Sequence, residues 1–387
     1  MPRNPQQSTG QDFARRLATL YAALFVTLGV QLPFLPVWLA AKGLDAQAIG
    51  LVLAVPMLAR VFAIPMATRV ADRRDALRAV IVVLSGVAVA GYGVLGLAEG
   101  LVAIVAAYAA ASAAYAPVML LADAYALRGL ARWGLAYGPV RLWGSAAFIA
   151  ASFAAGALLD LIAPRDLIWL VVAAMGLSVV AACALAPVGA PMTAAAAAPP
   201  PAGILLRDPR FLTVAAAASL IQASHAMYYG FSTIEWQAAG FGGTTIGALW
   251  ALGVLAEIAL FAISGRLPFT PTALILVGAL GAVVRWSAMA LAPPAAALPA
   301  LQCLHALSFG ATHLGALGFL ARAAPPGLGA TAQGYLGVAS GLVMAVAMGL
   351  CGVLYGRFGA AAYGAMAVAA LAGGLCALAA RRMTDKT

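Results

Sequence analysis

Three arginines, three carboxylates and three histidines stand inside long apolar runs: Arg60, Arg141, Arg285, Asp123, Glu235, Glu257, His225, His305 and His313. An ionisable group at a bilayer centre costs at least ~2.5–3.5 kcal/mol, so each should face a cavity or a partner. All the histidines of the chain belong to this set. Histidine titrates near neutrality, an unusual choice for packing alone, although each taken singly could be a structural polar contact. Glu257 lies one helical turn from Gly253 and two from Trp250, far from any loop that could solvate it. Arg285 is its natural charge partner, and His305 or His313 could exchange a proton with it. A carboxylate balanced between desolvation and a cation changes charge readily, and proton coupling requires that property.

Spacing gathers polar groups onto helix faces. At 100° per residue, Gln302, His305, Phe309, Thr312 and His313 share an arc of about 100°, and Tyr108, Ser112, Tyr115, Met119 and Asp123 share one of about 80°. Such faces should line a cavity. Gln222, Ser224, His225, Tyr228, Tyr229, Ser232 and Trp236 are too many hydrogen-bonding groups for one lipid-facing helix. Pro33 and Pro36, beside Gln31, are expected to break the helical ladder and leave carbonyls facing inward. Asp123 and Arg141 are expected to form a salt bridge, because buried opposite charges are cheaper paired than alone. The expected solute-binding set is Gln31, Arg60, Asp123, Arg141, His225, Tyr229, Trp250 and Gln302, and the proton-coupling set is Glu257, Arg285, His305 and His313.

The elements that must position these groups are membrane helices. Of the 387 residues 64% are hydrophobic and 9% charged, with a mean hydropathy of +0.99. A soluble domain carries roughly a quarter charged residues. The runs are too long for barrel strands. Cutting at charges and at Pro/Gly clusters gives twelve spans: Leu17–Ala41, Gln47–Arg69, Leu77–Leu97, Leu101–Tyr125, Tyr137–Asp160, Leu167–Ala186, then Phe211–Trp236, Thr244–Arg266, Thr272–Leu291, Leu298–Arg322, Gly329–Arg357 and Ala361–Arg381. The stretch from Pro187 to Pro201 reads as a flexible connector. The expected fold is all-α, twelve transmembrane helices in two pseudo-symmetric six-helix bundles, residues 1–186 and 208–387, joined by a cytoplasmic linker at 187–207.

Lys and Arg collect on the cytoplasmic side of short loops. With the N-terminus inside, only Lys42, Arg165 and Arg357 fall on the opposite side, and Arg60 and Arg285 lie within spans. The other seventeen of the 22 are cytoplasmic, so both termini are expected there. The formal charge of +10 is therefore a topology signal, and no nucleic-acid partner is expected. Cys183, Cys303, Cys351 and Cys376 stand singly, without disulfide or zinc spacing. No HExxH, GxSxG or Walker motif occurs, so neither an enzyme nor a bound metal or cofactor is expected.

Several segments carry a resemblance to the major facilitator superfamily. The loop ATRVADRRDALR resembles its signature between spans 2 and 3, with Asp72 and Arg73 in place but without its glycines. PFLPVWLAAKGLDAQAIG, YGPVRLWGSAAFI, ASHAMYYGFSTIEW, IGALWALGVLAEIALF and LQCLHALSFGATHLGALGF resemble the phenylpropionate permease-like branch, over most of the chain. That branch is similar to the lactose permease group. The resemblance implies substrate contact by Asp123 and Arg141, and proton coupling by Glu257, Arg285 and His305 or His313. The chain departs from that group in having no carboxylate on span 10, so the proton is expected on Glu257 itself or on a histidine.

The expectation is a monomeric secondary transporter in a cell inner membrane. It would symport protons with a small organic solute, an aromatic or other carboxylic acid being one candidate, by alternating access. The rival is a proton-coupled exporter of drugs or metabolites.

Overall fold

The computed structural model describes residues 5–188 and 201–384; most of the connector, along with Arg3 and Lys386 of the charge asymmetry, lies outside them. Among the described residues there is no strand. The helices are α1 Pro5–Ala41, α2 Ala46–Arg73, α3 Leu77–Leu97, α4 Leu101–Trp133, α5 Tyr137–Leu159, α6 Leu167–Cys183, α7 Pro209–Ala223, α8 Ala226–Ala238, α9 Gly243–Ile263, α10 Pro271–Ala290, α11 Leu298–Cys303, α12 Thr312–Ala323, α13 Gly329–Phe358 and α14 Tyr363–Thr384. Among the described residues ten stretches are long and apolar enough to cross a membrane. Two compact units emerge: residues 1–44, 58–193 and 240–251 form one, and residues 45–57, 194–239 and 252–387 the other.

In the first unit α1 packs on α5 and α6, and α3 on α4 and α6. Gly29 permits the α1–α5 approach, since a Cβ there would strike the Phe148 carbonyl. α1 continues through Pro33 and Pro36, so neither ends the helix, although each removes one bond of the ladder as the sequence leads one to expect. The carbonyl of Gly29, four residues before Pro33, loses its helical donor. The Ser152 hydroxyl donates to it at 3.1 Å. At the C-terminal end of α6, Arg78 and Arg16 donate to the carbonyls of Cys183 and Ala184, satisfying groups that a helix end leaves open. Asp160, just past α5, accepts from the backbone N–H of Gly243 and Thr244 and from the Thr244 hydroxyl. It thus caps the N-terminus of α9 from another helix, and these bonds hold its carboxyl below the usual range. A Cβ on Gly156 would collide with the Gly243 carbonyl, so this junction needs glycine.

In the second unit α7 packs on α13 and α14, and α10 on α12 and α14. Asp208 caps α7 and Thr270 caps α10, each followed by a proline at the first helical position. Two expected single spans are interrupted. Span 7 breaks between α7 and α8 at Ser224 and His225, and span 10 departs from α-helix after Cys303, running through a π-helical turn at Ala306–Ala311. Such turns are rare and often mark functional sites. Glycine lets neighbours fit this wider turn: a Cβ on Gly278 would overlap the Thr312 hydroxyl, and one on Gly281 the Leu307 side chain.

Candidate functional site

Arg285 on α10 is completely buried. Its Nη2 donates to Gln302 Oε1 at 2.6 Å, and its Nη1 reaches His305 Nδ1 at 3.1 Å and Ser308 Oγ at 3.4 Å. The guanidinium carbon lies 4.6 Å from the Tyr228 ring centroid and 4.5 Å from that of Trp286. All of these groups are neutral. Among the described residues no carboxylate pairs with Arg285, so the expected Arg285–Glu257 pair is not formed. Arg285 Nε and Gln302 Nε2 are buried without acceptors. The centre therefore has a surplus of donors and positive charge.

Arginine can only donate, so the Nδ1 of His305 must accept, and the proton of the neutral ring then sits on Nε2. Nε2 lies 3.7 Å from Glu257 Oε2. That is an ion-pair distance, too long for a hydrogen bond. His305 thus stands between Arg285 and Glu257, one ring nitrogen toward each. Gly253 lies against His305, where a Cβ would make ordinary contact, and Gly310 lies against Glu257, where a Cβ would fit tightly at 3.3 Å.

His225 fills the break in span 7 and is fully buried. Its Nδ1 lies 3.2 and 3.1 Å from the carbonyls of Ile221 and Gln222, so it donates there, leaving Nε2 to accept from the Ser308 hydroxyl at 3.0 Å. Trp286 Nε1 donates to Ser224 Oγ at 2.8 Å, and Ser224 in turn donates to the Ile221 carbonyl. Carbonyls freed by the break are used to orient the aromatic and imidazole rings around Arg285. His225 therefore supports this centre and has no open edge for a solute. Tyr229 stacks on His225 at 5.7 Å.

Among the described residues His313 makes none of the hydrogen bonds to Arg285. It is exposed and stacks on Phe309 at 6.0 Å. Thr312 also leaves the expected face, bonding back to the Ser308 carbonyl beside Gly278. The π-helical turn is the cause, because its i→i+5 bonding takes up an extra residue and rotates everything after Ala311 relative to Gln302 and His305.

The first unit holds a second polar group. Gln31 Nε2 donates to the hydroxyls of Tyr92 and Tyr108, at 2.8 and 3.2 Å. Arg60 is exposed on α2, within electrostatic reach of Tyr108 and Tyr115. Asp123 accepts from Tyr21 at 2.6 Å and Tyr137 at 2.8 Å. Among the described residues no ion pair joins it to Arg141, so the expected salt bridge is absent. Arg141 instead lies over Phe25 at 4.0 Å and Tyr21 at 5.3 Å. Two phenol donors satisfy the carboxylate, and two rings hold the guanidinium. Trp250, on α9, is buried in this unit.

Ser308, Ser224, Trp286 and Tyr228 carry bonds or stacking that the candidate set missed. Ser224 and Tyr228 stand out as polar in span 7, but nothing in the spacing singles out Ser308. Its position depends on the π-helical turn. Among the described residues no group of three or more His, Cys, Asp or Glu could hold a metal ion.

Comparison with known proteins matches the chain to transporters. A family model, the MFS_1 like family, covers residues 14–364. The chain is 33% identical over 367 residues to a probable 3-phenylpropionic acid transporter of Escherichia coli (strain K12), covering 92% of this chain and 95% of that one. It is 29% identical to a maltose permease of Geobacillus stearothermophilus, covering 83% and 82%. Among solved structures, a mutant of the nucleoside transporter NupG superposes with a TM-score of 0.83 at 16% identity, covering 95% and 99%. A bacterial homologue of the human lysosomal transporter Spinster superposes at 0.73 and 15%, covering 98% of each chain. These last two share the fold. With the match spanning nearly the whole sequence, the chain is a multi-pass membrane protein that belongs to the MFS_1 like family, within the major facilitator superfamily of transporters.

Proposed function

We propose that the protein is a proton-coupled symporter of a small organic anion, with an aromatic carboxylate as the best candidate. It would work by alternating access between two six-helix bundles, residues 1–186 and 208–387, in a cell inner membrane with both termini cytoplasmic. One observation carries the reading: Arg285 is buried with only neutral partners, beside two unused donors, Arg285 Nε and Gln302 Nε2. A buried charge lacking its counter-ion is costly, and guanidinium pairs bidentately with carboxylate. An incoming carboxylate would supply the missing anion. The name of the Escherichia coli relative, a 3-phenylpropionic acid transporter, points to the same chemistry.

We place the transported proton by the tautomer of His305. His305 cannot accept one at Nδ1 while Arg285 donates there, and its Nε2 already carries one. The proton is then held by Glu257, which His305 faces. An anion that draws Arg285 away from His305 frees Nδ1 and changes what Glu257 meets, which links solute occupancy to proton occupancy. In the first unit Arg60, with Tyr108 and Tyr115, and Arg141, with Asp123 and Gln31, are the further solute contacts we assign.

The test is uptake of labelled 3-phenylpropionate into proteoliposomes under an imposed pH gradient. Accumulation that a protonophore abolishes is the expected result. Uptake indifferent to the gradient removes the coupling claim, and extrusion driven by it would make the protein an exporter.

A further inference from the structure

Glu235 belongs to no part of the site above. It lies on α8, one turn before the helix ends at Ala238; the residue is partly buried, and its Oε2 is buried without a hydrogen-bond partner among the described residues. The Tyr363 hydroxyl, on a fully buried side chain, likewise has no partner. Tyr363 is within electrostatic reach of both Glu235 and Arg285, and its ring stacks on Trp286 at 5.7 Å. Tyr355, also within reach of Glu235, stacks on Phe231 one turn earlier on α8, at 4.6 Å. The groups that face this carboxyl are thus Tyr355 from α13 and Tyr363 from α14, both phenols. Arg357, near the end of α13, is exposed.

An ionised carboxylate in such surroundings would lack any compensating cation, and the cost of burying one unpaired is met in practice by taking up a proton. A sodium ion would need several oxygen ligands, whereas the aromatic ring faces of Phe231, Tyr355 and Tyr363 supply few. We propose that Glu235 is a second proton-binding site of the transporter, protonated in this conformation. It exchanges its proton with water at the adjacent end of α8, while Tyr363 connects its charge electrostatically to the Arg285 centre. On release the O–H bond at Oε2 breaks, the proton passes to water, and a carboxylate remains that the surrounding phenols can stabilise only if a hydroxyl turns toward it. The inference rests on the symport reading, and it places a step of proton exchange outside the Glu257–His305 pair.

Three measurements on purified protein in proteoliposomes test it, with 3-phenylpropionate as the probe. The wild type should accumulate the probe under a pH gradient, whereas Glu235→Gln should only equilibrate it while retaining exchange. Infrared difference spectra across a pH titration should contain a protonated-carboxyl band that Glu235→Gln lacks. Gradient-driven accumulation by Glu235→Gln at the wild-type level overturns the proposal, and so does an unchanged infrared spectrum. Accumulation by the wild type on a sodium gradient in place of a pH gradient overturns the assignment of the ion. If the wild type transports without responding to any gradient, the symport reading fails, and the infrared band alone then decides whether Glu235 binds a proton. Should Glu235→Gln not reach the membrane, Glu235→Asp must couple with a displaced pH midpoint, and an unmoved midpoint overturns the proposal.

Discussion

Arg285 donates to three acceptors with a planar fork, a geometry that an ammonium group cannot reproduce. Arg285→Lys keeps the charge but loses the simultaneous bonds to Gln302, His305 and Ser308. With hydrogen bonds to charged groups contributing about 1.5–3 kcal/mol each, loss of one productive bond should weaken solute binding about 10–100-fold. Titration calorimetry or a thermal-shift series with 3-phenylpropionate checks this, and unchanged affinity would place the anion elsewhere. Glu257→Gln should behave differently. A neutral amide still faces His305 Nε2, so counterflow exchange survives while gradient-driven accumulation is lost, and uphill uptake at the wild-type level would remove Glu257 from the coupling step. The identities of Arg285, His305, Glu257 and Gln302 as a group were legible in the sequence because each is too polar for its surroundings. Their wiring was not. Charge complementarity suggested Arg285 against Glu257 and Arg141 against Asp123, yet in the structure His305 stands between the first pair, and two tyrosine hydroxyls satisfy Asp123 in the second. Pairing by sign ignores neutral donors and aromatic faces, which here outcompete the obvious counter-ion.

Asp160 acts across elements. Sitting past the end of α5, it receives the first N–H groups of α9, and these bonds hold its carboxyl below the usual carboxylate range. A carboxyl with a depressed folded-state pKa adds stability that is present above its unfolded pKa and is lost as pH falls through the folded value. Asp160→Asn should therefore lower the thermal midpoint at neutral pH. The cost is about 0.5–1 kcal/mol, the lower part of the capping range because the side chain is solvent-exposed. Below the depressed pKa, where the wild type is itself protonated, the two proteins should converge. Circular-dichroism melts across pH measure this, and a gap that widens toward acid would contradict the sign. The cap was invisible to sequence reading because its two halves lie far apart along the chain. The breaks at Ser224–His225 and through Ala306–Ala311 were missed for a related reason. Proline is the helix breaker that a sequence displays, but α1 continues through Pro33, whose freed carbonyl takes the Ser152 hydroxyl, whereas span 7 is interrupted at residues whose own side chains recapture the freed carbonyls.

At the scale of the whole molecule, α7 and α8 decide how the second half crosses the bilayer. Ten stretches qualify by length and apolarity, and that count leaves out α7 with α8 and merges α13 with α14. Alone, α7 and α8 have 15 and 13 residues, each too short for a hydrocarbon core of about 30 Å at 1.5 Å per residue. Joined through Ser224 and His225 they are long enough, and two of the polar groups in the joined helix, His225 and Tyr228, meet Ser308 and Arg285. The two counts both return the C-terminus to the starting side, so locating the termini does not separate them. The loop between α9 and α10, Leu267–Thr270, does. If α7 and α8 cross together, that loop and the neighbouring Arg266 lie on the side of the connector. If they do not, the loop is exported, and Arg266 and Arg322 move to the outer face against the charge asymmetry that orients short loops. Alkaline phosphatase fused after Phe269 should be inactive and green fluorescent protein at the same point should fluoresce, while fusions after Phe241 should give the reverse. Active phosphatase after Phe269 would mean that the interrupted helix does not span, and with it would go the placement of Glu235 at the outer end of a membrane-crossing segment.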